Sequence, residues 1–176
     1  DWWWRRPRYC VMCSCVDSAE SLVTYTIPPG SHYSNPRRTE YINKLPMSFY
    51  VKFDSSAIYD VGEDDINKLY GFVDCNSVIH QNSARIGWRW WDNQLQLFAY
   101  TYSNGVRYSE FLKAIPLNQW VYCEIGISAN SYTLCVEDTC VETERKSSCD
   151  TGVYYKSYVY FGGNNPAPHK ITIQIR

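Results

Sequence analysis

The 176-residue sequence predicts an all-β protein, an antiparallel sandwich preceded by an extended N-terminal arm. Three observations carry this. Apolar and polar residues alternate with a period of two, the spacing of a half-buried strand, while the periodicity of an amphipathic helix is nearly absent. Clusters of Gly, Pro, Asn, Asp and Ser punctuate the chain at short intervals. Aromatic residues make up 16 % of the chain, including 16 tyrosines, against only 2 methionines, a composition that favours strands.

The elements follow in order. Residues 1–18 open DWWWRRPRYCVMCSC and hold Trp2, Trp3, Trp4 and Tyr9 with Cys10, Cys13 and Cys15. This segment is too apolar to be left in water as a disordered tail. Burying three indoles does not offset the backbone entropy of ordering it, so strand hydrogen bonds, disulfides or both are required. The arm either folds over its own domain or reaches a neighbouring copy, adding a strand there, and head-to-tail use that does not close makes a filament. Consecutive tryptophans project to alternate sides, which favours a segment sandwiched between two surfaces and hence self-assembly.

Residues 19–176 form the body. SLVTYTI (21–27) is the first strand, ended by PPG (28–30). In MSFYVKF (47–53), Met47, Phe49, Val51 and Phe53 share the inner face. KLYGFVD, ARIGWRWW and QLQLFAYTY follow, the last closed by Asn104-Gly105 into a hairpin with VRYSEFL. VYCEIGI and SYTLCVE make a second hairpin around SANS, with Val121, Cys123, Ile125 and Ile127 inward. KSYVYFG and ITIQI complete the set.

Eight cysteines, an even number in strand and turn contexts, point to disulfides and so to a secreted, extracellular or cell-surface protein. They are Cys10, Cys13, Cys15, Cys75, Cys123, Cys135, Cys140 and Cys149; the connectivity is open. The chain begins at Asp1 without a basic and apolar leader, which fits a mature chain already cut. No apolar run approaches the roughly 20 residues of a membrane span, so membrane insertion is not expected. A formal net charge of −1 gives no general attraction to nucleic acid. CVMCSC has no nearby histidine and reads as disulfide cysteines rather than a metal site. VGEDD (61–65) offers oxygen donors suited to calcium, and equally reads as a solvated acidic turn.

Residues 22–176 resemble the concanavalin A-like jelly roll, the fold of laminin G modules, lectins and several polysaccharide lyases. IPLNQWVYCEIGISANSYTLCVED and the terminal YFGGNNPAPHKITIQI carry the likeness. Within that group the chain is similar to alginate-lyase-like enzymes, whose motifs R-(S/T)-E-(L/V)-R, Q-I-H and Y-F-K-A-G-x-Y-N-Q find counterparts in the same order at RRTEYI, VIHQN and YFGGNN. The resemblance implies a uronate polysaccharide lyase acting through Arg38, His80 and Tyr160. The motifs are nevertheless degenerate: Ile42 stands where the second arginine belongs, Val78 where the glutamine belongs, and Asn164 or Asn165 where the last tyrosine belongs. Losing one pre-organised donor costs on the order of 3–4 kcal/mol of transition-state stabilisation. A non-catalytic structural or adhesive subunit is therefore expected, unless Gln81 or Tyr158 takes over a missing role.

Carbohydrate is the second expected partner besides copies of the chain itself. The polar run His80–Arg85 and the aromatic stretch beyond it place Arg85, Arg89, Trp91, Tyr100 and Tyr102 where a sugar would meet hydrogen-bond donors and ring faces. Trp88 and Trp90 share parity with Ile86 and are expected in the core. Asn82 and Ser83 also read as loop residues that bond their own backbone.

Overall fold

In a computed structural model, which describes residues 22–37, 40–42, 44–146 and 154–176, the chain folds as two six-stranded antiparallel sheets. The strands are β1 (Val23–Ile27), β2 (Tyr41–Ile42), β3 (Met47–Phe53), β4 (Asn67–Val73), β5 (Ser83–Trp91), β6 (Gln94–Ser103), β7 (Val106–Ile115), β8 (Val121–Ile127), β9 (Ser131–Val136), β10 (Thr139–Glu144), β11 (Tyr154–Ser157) and β12 (Ile171–Ile175). The first sheet runs β1-β12-β3-β8-β9-β10 and the second β2-β11-β4-β5-β6-β7. The arm, with Trp2, Trp3, Trp4, Tyr9 and its three cysteines, lies outside the described residues, as do Arg38 and Cys149.

The tight hairpins form where the turn chemistry requires. Asp92 and Asn93 join β5 to β6, and Asn104-Gly105 joins β6 to β7, all four with positive φ as a two-residue primed turn demands. Strand alternation is also realised. In β3, Met47, Phe49, Val51 and Phe53 are buried while Ser48 and Tyr50 are exposed. Between the sheets, Trp88 packs on Phe53 with ring centres 5.2 Å apart, alongside Tyr59, Phe161 and Phe72. Trp90 packs partly buried against the same core.

Two elements depart from the sequence expectation. TCVETE forms β10, pairing with β9 through a two-residue turn at Glu137 and Asp138. KSYVYFG is a strand only at its start. β11 ends at Ser157, and the chain then crosses to the other strands through single bridges between Tyr160 and both Tyr33 and Lys68.

The cysteines need one correction. Cys135 and Cys140 are disulfide-bonded across the β9–β10 hairpin, and Cys75 is also disulfide-bonded. Cys123, expected in a disulfide, is a free and fully buried thiol. Its own strand explains this: it stands in register with Phe49 and Val136 on the inner face, whereas a residue able to bridge to Cys135 would have to point outward. Burial pushes the thiol above its ordinary pKa, which leaves it an inert core residue.

A buried ion pair ties the sheets together at one end. Asp74, just past β4, accepts from Arg145 Nε at 2.8 Å and from the Tyr132 hydroxyl at 2.5 Å. Arg145 also donates to the carbonyls of Ser128 and Ala129.

Candidate functional site: a cationic groove on the second sheet

The outer face of the second sheet carries a groove of about 890 Å³. Its floor is built by strand parity. Arg85 on β5 stands opposite Tyr100 on β6, which stands opposite Ser109 on β7, and Tyr102 stands opposite Arg107. Gly71 on β4 makes room for Arg85: a Cβ there would lie 2.6 Å from Arg85 Cγ and 2.1 Å from the Ala84 carbonyl oxygen. A β-bulge between Lys68 and Gly71 re-aims β4 so that Lys68 also faces the groove. The segment after β11 supplies Tyr158 and Tyr160 as one wall, and the β4–β5 loop supplies His80.

The groove is strongly positive. Arg37, Lys68, Arg85, Arg89, Arg107 and Lys156 line it against two carboxylates, Asp64 and Asp65. That is a formal excess of four positive charges in a chain whose net charge is −1. Several cations are already engaged. Lys156 pairs with Glu40 at 3.1 Å. Arg89 donates to Gln96 Oε1 and to the Asp64 carbonyl, and its Nη1 lies 3.7 Å from the Asp64 carboxylate.

Arg85 is the exception. It is 6 % exposed, and its Nε and Nη2 are buried with no hydrogen-bond partner. These two nitrogens form one edge of the guanidinium, the edge that grips a carboxylate through two parallel bonds. Among the described residues, its cation–π neighbour is Tyr100, whose ring centre lies 5.2 Å away. Burial pulls its pKa down to about 10. Lys68 reaches between Tyr100 (4.8 Å) and Tyr160 (5.9 Å) and donates to the Gly162 carbonyl at 3.1 Å. Burial first, then the Arg85 charge, lowers its pKa to about 8.

Burial, then hydrogen bonding with Tyr100, pushes Tyr102 above its ordinary pKa, and burial likewise raises Tyr160. Tyr160 is clasped by His32, whose ring stacks on it at 5.6 Å, and by Tyr33 edge-on at 5.4 Å. The His80 ring lies 5.1 Å from that of Tyr102.

Of the site residues expected from sequence, His80, Arg85, Arg89, Tyr100, Tyr102 and Tyr160 meet in this groove. Trp91 does not line it; it stands at the end of β5 on the same face, 40 % exposed, 5.7 Å from the Arg89 guanidinium. Asn82 and Ser83 are loop-bracing residues: Asn82 Oδ1 accepts from the Asn104 amide, and Ser83 Oγ donates to the Ile79 carbonyl. Gln81 is not among the lining residues, whereas Tyr158 is. Lys68 and Arg107 were missed. Arg107 was legible as the partner of Tyr102 across the Asn104-Gly105 hairpin; Lys68 was hidden by the bulge, which breaks simple alternation.

The acidic loop is divided among separate tasks. Asp60 Oδ1 accepts from the Gly62 amide, Asp64 faces Arg89, and Asp65 Oδ2 accepts from the Asn164 amide. Among the described residues no three candidate ligands converge as a metal site. No helix among them is long and apolar enough to cross a membrane.

No protein-family model matches the chain, and no curated protein matches it. Solved structures do. Alginate lyase AlyC3 superposes with a TM-score of 0.60 at 13 % identity, covering 92 % of this chain and 75 % of that one. Its complex with dimannuronate gives 0.60 at 14 % identity, over 91 % and 74 % of the two chains. SCLam, a non-specific endo-β-1,3(4)-glucanase of family GH16, gives 0.52 at 8 % identity, over 88 % and 68 %.

The fold is the concanavalin A-like jelly roll. At these identities the likeness fixes the architecture of the jelly roll, and the chemistry has to be argued from this chain's own side chains.

Proposed function

We propose that this jelly roll binds an acidic, uronate-bearing polysaccharide in the cationic groove, with a sugar carboxylate seated on Arg85. The observation that carries the reading is the guanidinium of Arg85, buried with one whole edge lacking acceptors. An ionised group in that position is costly unless an anion meets it. The excess of positive charge supports a polyanion over a neutral glycan. Tyr100, Tyr102 and Tyr160 supply ring faces and hydroxyls for the sugar itself. The dimannuronate held by AlyC3, a protein of the same fold, is a ligand of this class. The Cys135–Cys140 disulfide fits work in an oxidising, extracellular setting.

The direct test is calorimetry or affinity electrophoresis with polymannuronate, polyguluronate and an uncharged glucan at low and moderate salt. Binding of the uronates alone, weakening with salt, supports the reading; equal retention by the glucan or no retention at all defeats it.

A second reading, cleavage by β-elimination, is favoured by His80 lying against Tyr102 in the groove that holds Arg85. Arg85 would neutralise the uronate carboxylate, the His80 imidazole would take the C5 proton, and a protonated tyrosine would hand its proton to the departing oxygen. Raised tyrosine pKa values suit the donor role. Ultraviolet absorbance of unsaturated uronate ends decides it: product formation abolished in His80→Ala makes the protein a lyase, and binding without product makes it a non-catalytic glycan-binding subunit. Self-assembly through residues 1–18 remains a proposal drawn from the sequence.

A further inference from the structure

The aromatic character of the outer face does not end with the groove. Two residues along from the Tyr100–Ser109 pair, Phe98 and Phe111 stand in register, their rings edge to face at 5.8 Å. At the rise of an antiparallel strand this places them about 7 Å from the row of Arg85 and Tyr100, comparable to one pyranose unit. Arg89 caps Phe98 at 4.7 Å from the ring centre and Trp91 at 5.7 Å. Gly87 opposite Phe98 keeps this end level: a Cβ there would lie 2.4 Å from Ile66 Cγ2 and 3.4 Å from Phe98 Cβ.

Phe98 is buried, yet Phe111 is 50 % exposed on the face it shares with Arg107 and Ser109. An apolar ring presented on a polar strand beside a groove marks a contact surface. Its chemistry differs from that of the groove centre. Arg89 is satisfied by Gln96 and Asp64, so this end calls for no second carboxylate. It offers a ring face, which suits the C–H face of a sugar.

Resting on the reading of the groove as an acidic-polysaccharide site, we infer that Phe111, backed by Phe98 and Arg89, is an additional subsite stacking a pyranose ring next along from the sugar anchored on Arg85. Affinity then depends on chain length, because a single uronate seated on Arg85 does not reach Phe111, whereas a dimer or longer chain does.

Calorimetric titration of the full chain with uronates from the monosaccharide to the hexamer tests this, using wild type, Phe111→Ala and Phe111→Trp. Phe111→Ala is expected to bind the dimer and longer oligomers about tenfold more weakly, to bind the monosaccharide as wild type does, and to be rescued by Phe111→Trp. Because the side chain is half exposed, the alanine variant folds, and an unchanged melting temperature verifies it. Equal weakening at every length, or none at any length, overturns the inference while leaving the groove reading intact. If wild type binds no oligouronate of any length, the groove reading falls and takes this subsite with it.

Discussion

Replacing Arg85 by Met separates a residue kept for a ligand from one kept for the fold. Burial pulls the guanidinium's pKa down to about 10. At about 1.4 kcal/mol per pK this places on the order of 3 kcal/mol of penalty on the charged form inside the folded chain. Against it stands the cation–π contact with Tyr100, worth roughly 1–2 kcal/mol. No hydrogen bond of Nε or Nη2 is lost on substitution, since neither has a partner. Methionine is of similar length, flexible enough to lie over Gly71, and carries no charge. Arg85→Met is therefore expected to be as stable as wild type or more so, by about 1–2 kcal/mol. For a chain of this size that is a rise of roughly 2–8 °C in melting temperature, read by calorimetry or circular dichroism. Uronate binding should fall by at least about thirtyfold, since truncating one partner of a buried charge pair costs about 2–5 kcal/mol. A fall in melting temperature of several degrees would show that the guanidinium stabilises the fold where it sits. An affinity unchanged from wild type would remove Arg85 as the anchor even if stability rose.

Lys68, with its pKa lowered to about 8, gives a pH signature. The folded state holds this proton less tightly than the unfolded chain, so stability rises as pH climbs from about 8 toward the ordinary lysine value. Uronate affinity moves the other way, declining through the same window, and Lys68→Met should flatten the decline in titrations at pH 7 to 10. Asp74→Ala strands Arg145 among backbone carbonyls and is expected to cost about 3–5 kcal/mol; a loss under about 1 kcal/mol in denaturant titration would contradict the bridging role given to the pair. Removing residues 1–18 should convert a concentration-dependent assembly into a monomer by light scattering, and identical scattering from both forms rules out the assembly arm.

The fold was readable because its signals are local. MSFYVKF, ITIQI and ASN-GLY or ASP-ASN turns each state their own conformation, and the sandwich follows once such pieces are counted. The site was half readable for the same reason. Arg85, Arg89, Tyr100 and Tyr102 lie on two strands joined by a two-residue turn, so their shared face follows from parity. Lys68 escaped because a bulge shifts β4 out of alternation between Lys68 and Gly71, and a bulge is fixed by the neighbouring strand. Cys123 shows the limit of composition. An even cysteine count suggested full pairing, although the alternation of VYCEIGI had already turned this one inward, away from Cys135. The register between β8 and β9 decided the matter.

The six cations of the groove are not equivalent, and their differences locate the anion site. Lys156 is held by Glu40, Arg89 by Asp64 and Gln96, and Arg37 lies over the Tyr33 ring at 4.4 Å. Each of these has its compensation at the rim. Lys68, Arg85 and Arg107 instead gather around a single phenol, Tyr100, at 4.8, 5.2 and 5.9 Å from its ring centre. Burial lowers the pKa values of Lys68 and Arg85, which the quadrupole of Tyr100 compensates only weakly, while hydrogen bonding with Tyr100 raises that of Arg107. An anion placed over Tyr100 relieves Lys68 and Arg85 at once. Its binding should draw a proton onto Lys68 above pH 8, visible as a dependence of the measured heat on the ionisation enthalpy of the buffer. Heats that do not vary with buffer at that pH would place the ligand's charge away from Tyr100.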